Sequence, residues 1–227
     1  MKKAESKDST GAARKIYLVD DHAVLRNGLA ELINRTEGLR VCGESAGSEE
    51  ALQEILKVKP DLAIVDLTLE GSSGLDLIKS LRLRQPSLPV LVLSMHDELL
   101  YAERCLRAGA KGYVMKHEAI DVIRNAIRQI LDGKIYVSGR MSDRLLQAIA
   151  RGGSAGSGSP VDQLSDRELE VFDLIGRGHG PSEIARRMHL SVKTIETYQS
   201  KLKEKLSLRD AAELLQHALR WVERRTS

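Results

Sequence analysis

Polar groups that could do chemistry recur in the first half of the chain, each directly after a short apolar run. Asp20 and Asp21 follow residues 16–19, Asp66 follows 63–65, Ser94 follows 90–93 and Lys116 follows 112–115. If these runs are parallel strands, their carboxyl ends share one sheet edge, where open α/β sheets bind ligands. Three crowded carboxylates repel one another and favour a hard divalent cation such as Mg²⁺.

Phosphoryl transfer needs a nucleophile, a metal, a cation and a hydroxyl donor. Asp66 is the predicted nucleophile, and Asp20 and Asp21 are the predicted Mg²⁺ ligands. Lys116 would bind a phosphoryl oxygen as a point charge, and Ser94 would donate a hydrogen bond to another. Each residue also has an ordinary explanation, such as a helix-start acid, a turn residue or a solvated lysine. Their joint placement at the ends of different strands favours the chemical explanation.

The intervening segments predict the scaffold. Five segments with apolar residues at helical spacing alternate with the short apolar runs. The first of these predicted helices starts its apolar spacing at Leu25 and the fifth at Ile120. This alternation indicates right-handed parallel crossovers and a doubly wound α/β sheet. The uninterrupted run 63–65 predicts a strand buried on both faces.

Composition narrows the possible classes of protein. The 227 residues are 42% hydrophobic but only 3% aromatic, which predicts one or two domains with aliphatic cores. The net charge of +3 shows no global basicity, so any DNA affinity must come from local clustering. Cys42 and Cys105 share no metal or redox spacing. We expect a cytoplasmic protein without a membrane span or signal peptide.

Changes in composition predict the domain boundaries. Residues 1–14 are polar and charged and read as a disordered tail, and 15–133 form the predicted α/β domain. Residues 134–161 are the predicted linker, with a short amphipathic helix at 141–151 and a flexible Gly/Ser-rich stretch at 152–160. Residues 162–227 form the second domain.

The second domain has the pattern of four short helices. The fourth, at about 209–224, is predicted to bury five apolar residues: Ala211, Leu214, Leu215, Ala218 and Leu219. Ser165 and Glu168 have capping-box spacing, and Pro181 suits the first position of the second helix. The tight turn between the second and third helices indicates a helix-turn-helix. Residues 186–205 carry six basic side chains against two acids, a local charge of +4. By itself this charge would be typical of an ordinary solvated helix face.

The first domain resembles the receiver domain of two-component response regulators. The resemblance rests on Asp20-Asp21 within 19–22, Asp66 within 65–68, Ser94 and the segment 108–116 ending at Lys116. It implies a flavodoxin-like, five-stranded parallel sheet of order 2-1-3-4-5. It also implies phosphorylation of Asp66 by a histidine kinase.

Further roles in the first domain come only from the resemblance. They are Mg²⁺ binding through Asp21, Asp66 and the carbonyl of Thr68, and an aromatic switch at Tyr113 coupled to Ser94. Glu70 departs from the family, which usually has a proline at this position.

The second domain resembles a LuxR-type helix-turn-helix, through 164–171, 183–185 and 191–198. Together the two resemblances place the chain in the NarL/FixJ family. They imply that the third helix enters the major groove and that the fourth forms a dimer surface. Phosphate contacts are implied for Lys193, Thr194 and Lys201, and groove contacts for Glu196, Thr197 and Ser200. Departures from the family occur at Glu196, Tyr198 and Gln199.

We therefore expect a transcription regulator that binds double-stranded promoter DNA when phosphorylated, as a homodimer, and that is not a conventional enzyme. One alternative is a haloacid-dehalogenase-like aspartyl-phosphate phosphatase, although that class needs an Asp where this chain has Thr68. Another is a phosphorylation-independent DNA-binding regulator that uses the first domain only to dimerise.

Overall fold

A computed structural model describes residues 12–69, 72–150 and 160–226. Most of the predicted tail, Glu70 with its departure from the family, and nearly all of the Gly/Ser-rich linker lie outside the described residues. The chain divides into two compact units, residues 1–141 and 142–227. The predicted domain boundaries stay predictions.

The first unit is a five-stranded parallel sheet whose strand order confirms the expected topology. The strands are β1 (Arg14–Val19), β2 (Leu39–Ser45), β3 (Leu62–Val65), β6 (Val90–Ser94) and β7 (Gly112–Met115). In space their order is β2-β1-β3-β6-β7, which is 2-1-3-4-5 when only these strands are counted. β4 (Thr68–Leu69) and β5 (Ser72–Ser73) form a separate small hairpin that the sequence did not predict.

Helices connect these strands, and the central strand is buried as predicted. They are α1 (Ala23–Asn34), α2 (Ser48–Val58), α3 (Gly74–Arg84), α4 (Glu98–Ala108) and α5 (Ile120–Leu131). Every residue of β3 is at most 2% exposed. Alternate residues of β1, β3 and β6 join one core with α1 and α5. Leu25 and Ile120, which begin the apolar spacing of the first and fifth predicted helices, are 39% and 55% exposed.

The segment after α5 packs onto the first unit before α6 (Gly139–Ala150) begins. Tyr136 N donates to Lys111 O, and Tyr113 N donates to Tyr136 O, both at 2.9 Å. Met141, inside the first turns of α6, is fully buried. Residues 136–141, which the sequence assigned to the linker, therefore form part of the first unit's packing.

Besides most of α6, the second unit contains the four predicted α-helices, which a short 3₁₀ turn (Pro160–Gln163) precedes. The α-helices are α7 (Asp166–Gly176), α8 (Pro181–Arg187), α9 (Val192–Lys205) and α10 (Ala211–Thr226). The predicted capping box at Ser165 and Glu168 is confirmed, with both reciprocal hydrogen bonds present. Within the described parts of both units, every helix is too short or too polar to cross a lipid bilayer.

The fourth helix of this unit buries less than its sequence pattern predicted. Leu214 and Ala218 are 2% and 0% exposed, as expected. The other three residues predicted to be buried beside them are exposed, Leu215 by 43%, Leu219 by 38% and Ala211 as well, so that part of the prediction was wrong. The face of α10 that packs against α7 and α9 is therefore narrow, and the positions that flank it meet solvent.

Gly74 is required where α3 begins against the end of β3. A Cβ at this position would lie 1.8 Å from the carbonyl oxygen of Asp66, and the obstructing atoms are backbone. We expect Gly74→Ala to lower the free energy of unfolding of the first unit by roughly 1–3 kcal/mol, because overpacking forces backbone shifts. Native-state hydrogen exchange of β1 and β3 amides measures this change.

Gly28→Ala is the matched control, because no atom lies within 4 Å of its added Cβ in the middle of α1. Alanine there should stabilise the protein by about 0.5–1 kcal/mol. Equal β3 protection in the Gly74→Ala variant and the unaltered protein would contradict the steric argument.

Candidate functional site

The carboxyl ends of β1, β3 and β7 bring an ammonium group between two carboxylates. Lys116 Nζ lies 2.7 Å from Asp66 Oδ2 and 2.6 Å from Asp20 Oδ2. The three side chains are only 3–7% exposed. Because β6 and β3 separate β7 from β1, the long lysine side chain reaches across the strand ends. The structure thus brings together three of the residues that the sequence singled out.

Strand register places the two carboxylates beside each other. Val19 pairs with Val65 in the parallel ladder, and Asp66 N donates to Val19 O at 2.9 Å. Asp20 and Asp66 are the next residues of the two strands, so they leave the sheet at the same level. Burial raises the pKa of Asp66, and Asp20 raises it further, whereas Lys116 acts in the opposite direction.

Lys116 responds to the same environment in the opposite sense. Burial by itself lowers its pKa, but the charges and hydrogen bonds of Asp66 and Asp20 outweigh burial, and the net pKa is raised. The ammonium therefore stays charged at neutral pH. Lys116 contacts two buried carboxyl groups, and Asp21 lies beside them, so carboxyl groups outnumber ammonium groups in this cluster.

Asp21 contributes a carboxylate oxygen, Oδ1, that is buried and still able to accept a hydrogen bond or bind a cation. Its side chain is 8% exposed, and Oδ1 makes no hydrogen bond to any residue that the structure describes. His22 Nδ1 lies 2.7 Å from this oxygen, without the alignment of a hydrogen bond. A buried acceptor without a donor is costly unless a cation completes it.

The donor set therefore fits a divalent cation. Ligand atoms of Asp20, Asp21, His22 and Asp66 all lie within 4.8 Å of one another. Carboxylate oxygens are hard ligands of the kind that Mg²⁺ prefers. His22 lies within the motif 19–22, but no role was predicted for it, although its position directly after the acid pair was a signal.

Arg26 and Glu44 hold the backbone of the acid pair and were not identified from the sequence. The Arg26 guanidinium donates to the carbonyl oxygen of Asp20, and its Nε donates to Glu44 Oε2 at 3.2 Å. His22 N donates to Asp20 Oδ1 at 2.9 Å. Asp20 is thus fixed through both its backbone and its side chain.

Ser94 and Tyr113 are joined through the loop between β6 and α4. Ser94 is fully buried, and its Oγ accepts a hydrogen bond from His96 N at 3.3 Å. The Tyr113 hydroxyl donates to His96 O at 2.8 Å, and its ring is fully buried. The two predicted switch residues therefore hold the same short loop, although the sequence gave no sign of the part that His96 plays.

Thr68 also contacts His96. Its Oγ1 lies 2.8 Å from His96 Nε2, and its amide donates to Asp66 Oδ1 at 3.3 Å. The side chain therefore faces the loop after β6, while the amide supports the predicted nucleophile. Metal binding by the Thr68 carbonyl stays a prediction.

The residues predicted to contact DNA lie on α9. Ile195 and Leu202 are fully buried, so the opposite face of the helix meets solvent. Thr194 is half-buried, and its hydroxyl lies 2.8 Å from Ser191 Oγ. The other predicted contacts are exposed: Lys193, Glu196, Thr197, Ser200 and Lys201.

The two hydroxyls on this face are held in place by the helix itself. Thr197 Oγ1 donates to Lys193 O at 2.9 Å, and Ser200 Oγ donates to Glu196 O at 3.0 Å. Each hydroxyl oxygen keeps acceptor capacity toward solvent. Lys201 Nζ lies 5.9 Å from the centre of the Tyr198 ring, a weak cation–π contact that orients its side chain.

Some basic side chains of the helix-turn-helix are already paired. Lys205 Nζ lies 2.7 Å from Glu168 Oε2, and Arg187 lies 3.0 Å from Glu183 Oε1. Burial acts to raise the pKa of Glu168, but hydrogen bonds from Lys205 and Ser165 outweigh it and lower the pKa. The Glu168 carboxylate therefore joins the start of α7 to the end of α9.

Known proteins match both units. Residues 16–128 match the response regulator receiver domain, and 162–218 match the bacterial regulatory proteins of the luxR family. The chain is 34% identical over 210 residues to the oxygen regulatory protein NreC of Staphylococcus aureus strain MRSA252, covering 91% of this chain and 97% of the relative. NreC of Staphylococcus epidermidis strain ATCC 12228 is 34% identical over 211 residues.

This chain belongs to the NarL/FixJ-type response regulators. The response regulator is thus a DNA-binding transcription regulator of the two-component type and not an enzyme, which confirms the expected class and removes the phosphatase alternative.

Solved structures agree with this assignment. A LuxR-family two-component response regulator from Aurantimonas sp. SI85-9A1 is 31% identical with a TM-score of 0.57, covering 61% of this chain and 99% of that one. RcsB of Salmonella enterica serovar Typhimurium, bound to promoter rprA in the presence of the phosphomimetic BeF₃⁻, is 26% identical with a TM-score of 0.58. It covers 91% of this chain and 98% of that one.

Proposed function

We propose that this response regulator accepts a phosphoryl group on Asp66 from a histidine kinase and that this modification controls DNA binding. The observation that carries the proposal is the buried Lys116 ammonium, 2.7 Å from Asp66 and 2.6 Å from Asp20. A structural ion pair would need one acid. Among the described residues, one lysine contacts two of the three carboxyl groups at this edge, which suits a site that will bind a metal ion and a phosphoryl group.

The transfer is an in-line displacement at phosphorus. An Asp66 carboxylate oxygen forms the new P–O bond while the P–N bond of the donor phosphohistidine breaks. The electron pair of that bond stays on the imidazole nitrogen, which takes up a proton from solvent. Lys116 neutralises charge on a phosphoryl oxygen, and Ser94 donates a hydrogen bond from the neighbouring strand.

Mg²⁺ is the proposed cation of the acidic cluster. Asp20, Asp21 and Asp66 would hold it, with the carbonyl of Thr68 as a further ligand. When bound, Mg²⁺ supplies positive charge that offsets the carboxylates and the incoming phosphoryl group. Asp21 Oδ1 supports this assignment, since it is a buried ligand atom that accepts no hydrogen bond from the described residues and lies beside the His22 imidazole.

We propose that α9 reads DNA through the exposed face described above. Lys193, Thr194 and Lys201 would bind phosphates, which positions the helix but carries no sequence information. Glu196, Thr197 and Ser200 would face base edges, and a carboxylate at Glu196 suits the amino group of cytosine. The exposed Leu215 and Leu219 on α10 support a homodimer of the phosphorylated form, which would bind two half-sites.

Asp66→Asn should abolish phosphorylation, because an amide cannot form the acyl phosphate. The full-length protein is incubated with a small-molecule phosphodonor and Mg²⁺, and intact mass and promoter-DNA affinity are measured on the same sample. The unaltered protein should gain one phosphoryl group and bind DNA more tightly. Asp121→Asn, an exposed carboxylate on α5, should behave like the unaltered protein.

Phosphoryl incorporation that persists in Asp66→Asn would refute the acceptor assignment. Incorporation at Asp66 without any change in DNA affinity would favour the alternative of a phosphorylation-independent regulator.

Mg²⁺ should stabilise the response regulator through Asp21. At a Mg²⁺ concentration ten times its Kd, binding to the native state alone adds about 1.4 kcal/mol of stability, visible as a rise in Tm. Asp21→Asn should lose most of this rise. Glu49→Gln, which alters an exposed acid at the start of α2, should keep it; an equal rise in all three proteins would exclude Asp21 as a ligand.

Replacing Lys193 and Lys201 by alanine should weaken DNA binding and flatten its salt dependence. Loss of two phosphate contacts reduces the slope of log K against log salt by about 1.8. Fluorescence anisotropy with promoter DNA across a salt series measures this slope. A charge-matched variant with Lys57 and Lys79 replaced, both exposed on the first unit, should keep the original slope. An unchanged slope in the α9 variant would remove both lysines from the interface.

A further inference from the structure

The segment that precedes α6 is tied to the switch region by a short set of hydrogen bonds. Glu98, in the first turn of α4, is 8% exposed, and its Oε1 accepts a hydrogen bond from Ser138 N at 2.7 Å. A carboxylate buried this deeply usually has a cation as partner. Among the described residues, the Glu98 carboxylate instead accepts its hydrogen bond from a backbone amide, that of Ser138, 40 residues later in the chain.

Ser138 passes this contact on to α6. Its own Oγ accepts a hydrogen bond from Met141 N at 3.1 Å, so Ser138 acts as the N-cap of the helix that begins at Gly139. Met141 is fully buried in the first turn. The carboxylate of Glu98 therefore positions the residue that starts α6.

A second contact reaches the same segment from the switch residue Tyr113. Its backbone amide donates to Tyr136 O at 2.9 Å, and its hydroxyl donates to His96 O at 2.8 Å. Gly112 permits this close approach, since a Cβ there would lie 2.8 Å from Tyr136 O. Tyr113 thus contacts the loop before α4 with its side chain and the segment before α6 with its backbone.

We propose that the Glu98–Ser138 hydrogen bond is a latch that holds the start of α6 on the receiver and opens when Asp66 is phosphorylated. The inference rests on the proposed phosphorylation of Asp66. Ser94 Oγ currently accepts the hydrogen bond of His96 N, and a phosphoryl group that attracts the Ser94 hydroxyl displaces this loop. The loop leads directly into α4, so its movement shifts Glu98 away from Ser138.

The consequence is a change in the segment that joins the two domains in sequence. With the latch closed, the N-cap of α6 is fixed and its first turn is packed. With the latch open, Ser138 loses its acceptor and the first turn of α6 becomes free to fray. Glu98 is thus a positioning residue that acts through Ser138.

The Ser138 amide proton reports the latch directly. Hydrogen exchange is measured by NMR on the ¹⁵N-labelled full-length chain, with and without a small-molecule phosphodonor and Mg²⁺. Phosphorylation should speed exchange at Ser138 by at least about tenfold, since a charge-assisted hydrogen bond is lost. Glu98→Ala should show the same fast exchange before phosphorylation and little further change after it.

Two variants separate the latch from a general loss of structure. Glu98→Gln keeps a side-chain oxygen as acceptor and should exchange at an intermediate rate. Glu103→Ala removes a carboxylate from the same helix that pairs with Arg107, and should match the unaltered protein. In each variant, unchanged exchange of the β3 amides shows that the sheet is intact.

Intact mass on the same samples distinguishes the possible failures. Absence of a phosphoryl group on Asp66 would overturn the proposed function and the switching with it. A phosphorylated protein whose Ser138 exchange is unchanged would overturn the latch alone. Slow exchange at Ser138 in Glu98→Ala, equal to the unaltered protein, would show that the hydrogen bond does not hold the segment.

Discussion

The central constraint on the first domain is that carboxylates lie close together at one buried edge of the sheet. Asp20 and Asp66 are adjacent because β1 and β3 pair in register, and Lys116 reaches them from the end of β7, across the end of β6. Their separation in space is fixed by backbone hydrogen bonds, so the repulsion cannot relax by moving the strands apart. The site therefore retains repulsion between its carboxylates, which a bound cation would lower and a transferred phosphoryl group would raise.

Much of this arrangement was predictable from the sequence. Uninterrupted apolar runs identify buried parallel strands, and parallel strands necessarily place their carboxyl ends together, which is why Asp20, Asp66 and Lys116 could be grouped in advance. The capping box of Ser165 and Glu168 was equally predictable, because its two residues lie three positions apart and each side chain bonds to the other residue's backbone. Helix and strand order followed from the same alternation of periods.

What sequence reasoning missed depends on tertiary proximity. Arg26 reaches the carbonyl of Asp20, and His96 meets Thr68, but no local pattern marks either pair. Exposure of Leu215 had a different cause: periodicity shows which residues share a helix face, and it does not show how much of that face a neighbour covers. Contacts between residues far apart in the sequence are thus the part of the site that only the three-dimensional structure reveals.

The ion pairs of the second domain change how its charge should be counted. Lys205 and Arg187 already neutralise Glu168 and Glu183, so a tally of basic residues along the chain overstates the field that a distant polyanion would experience. Little long-range steering remains, and encounter with a duplex should be slow compared with strongly basic DNA-binding modules. Dimerisation would then raise the occupancy of a DNA site mainly by slowing dissociation, while the association rate would change little.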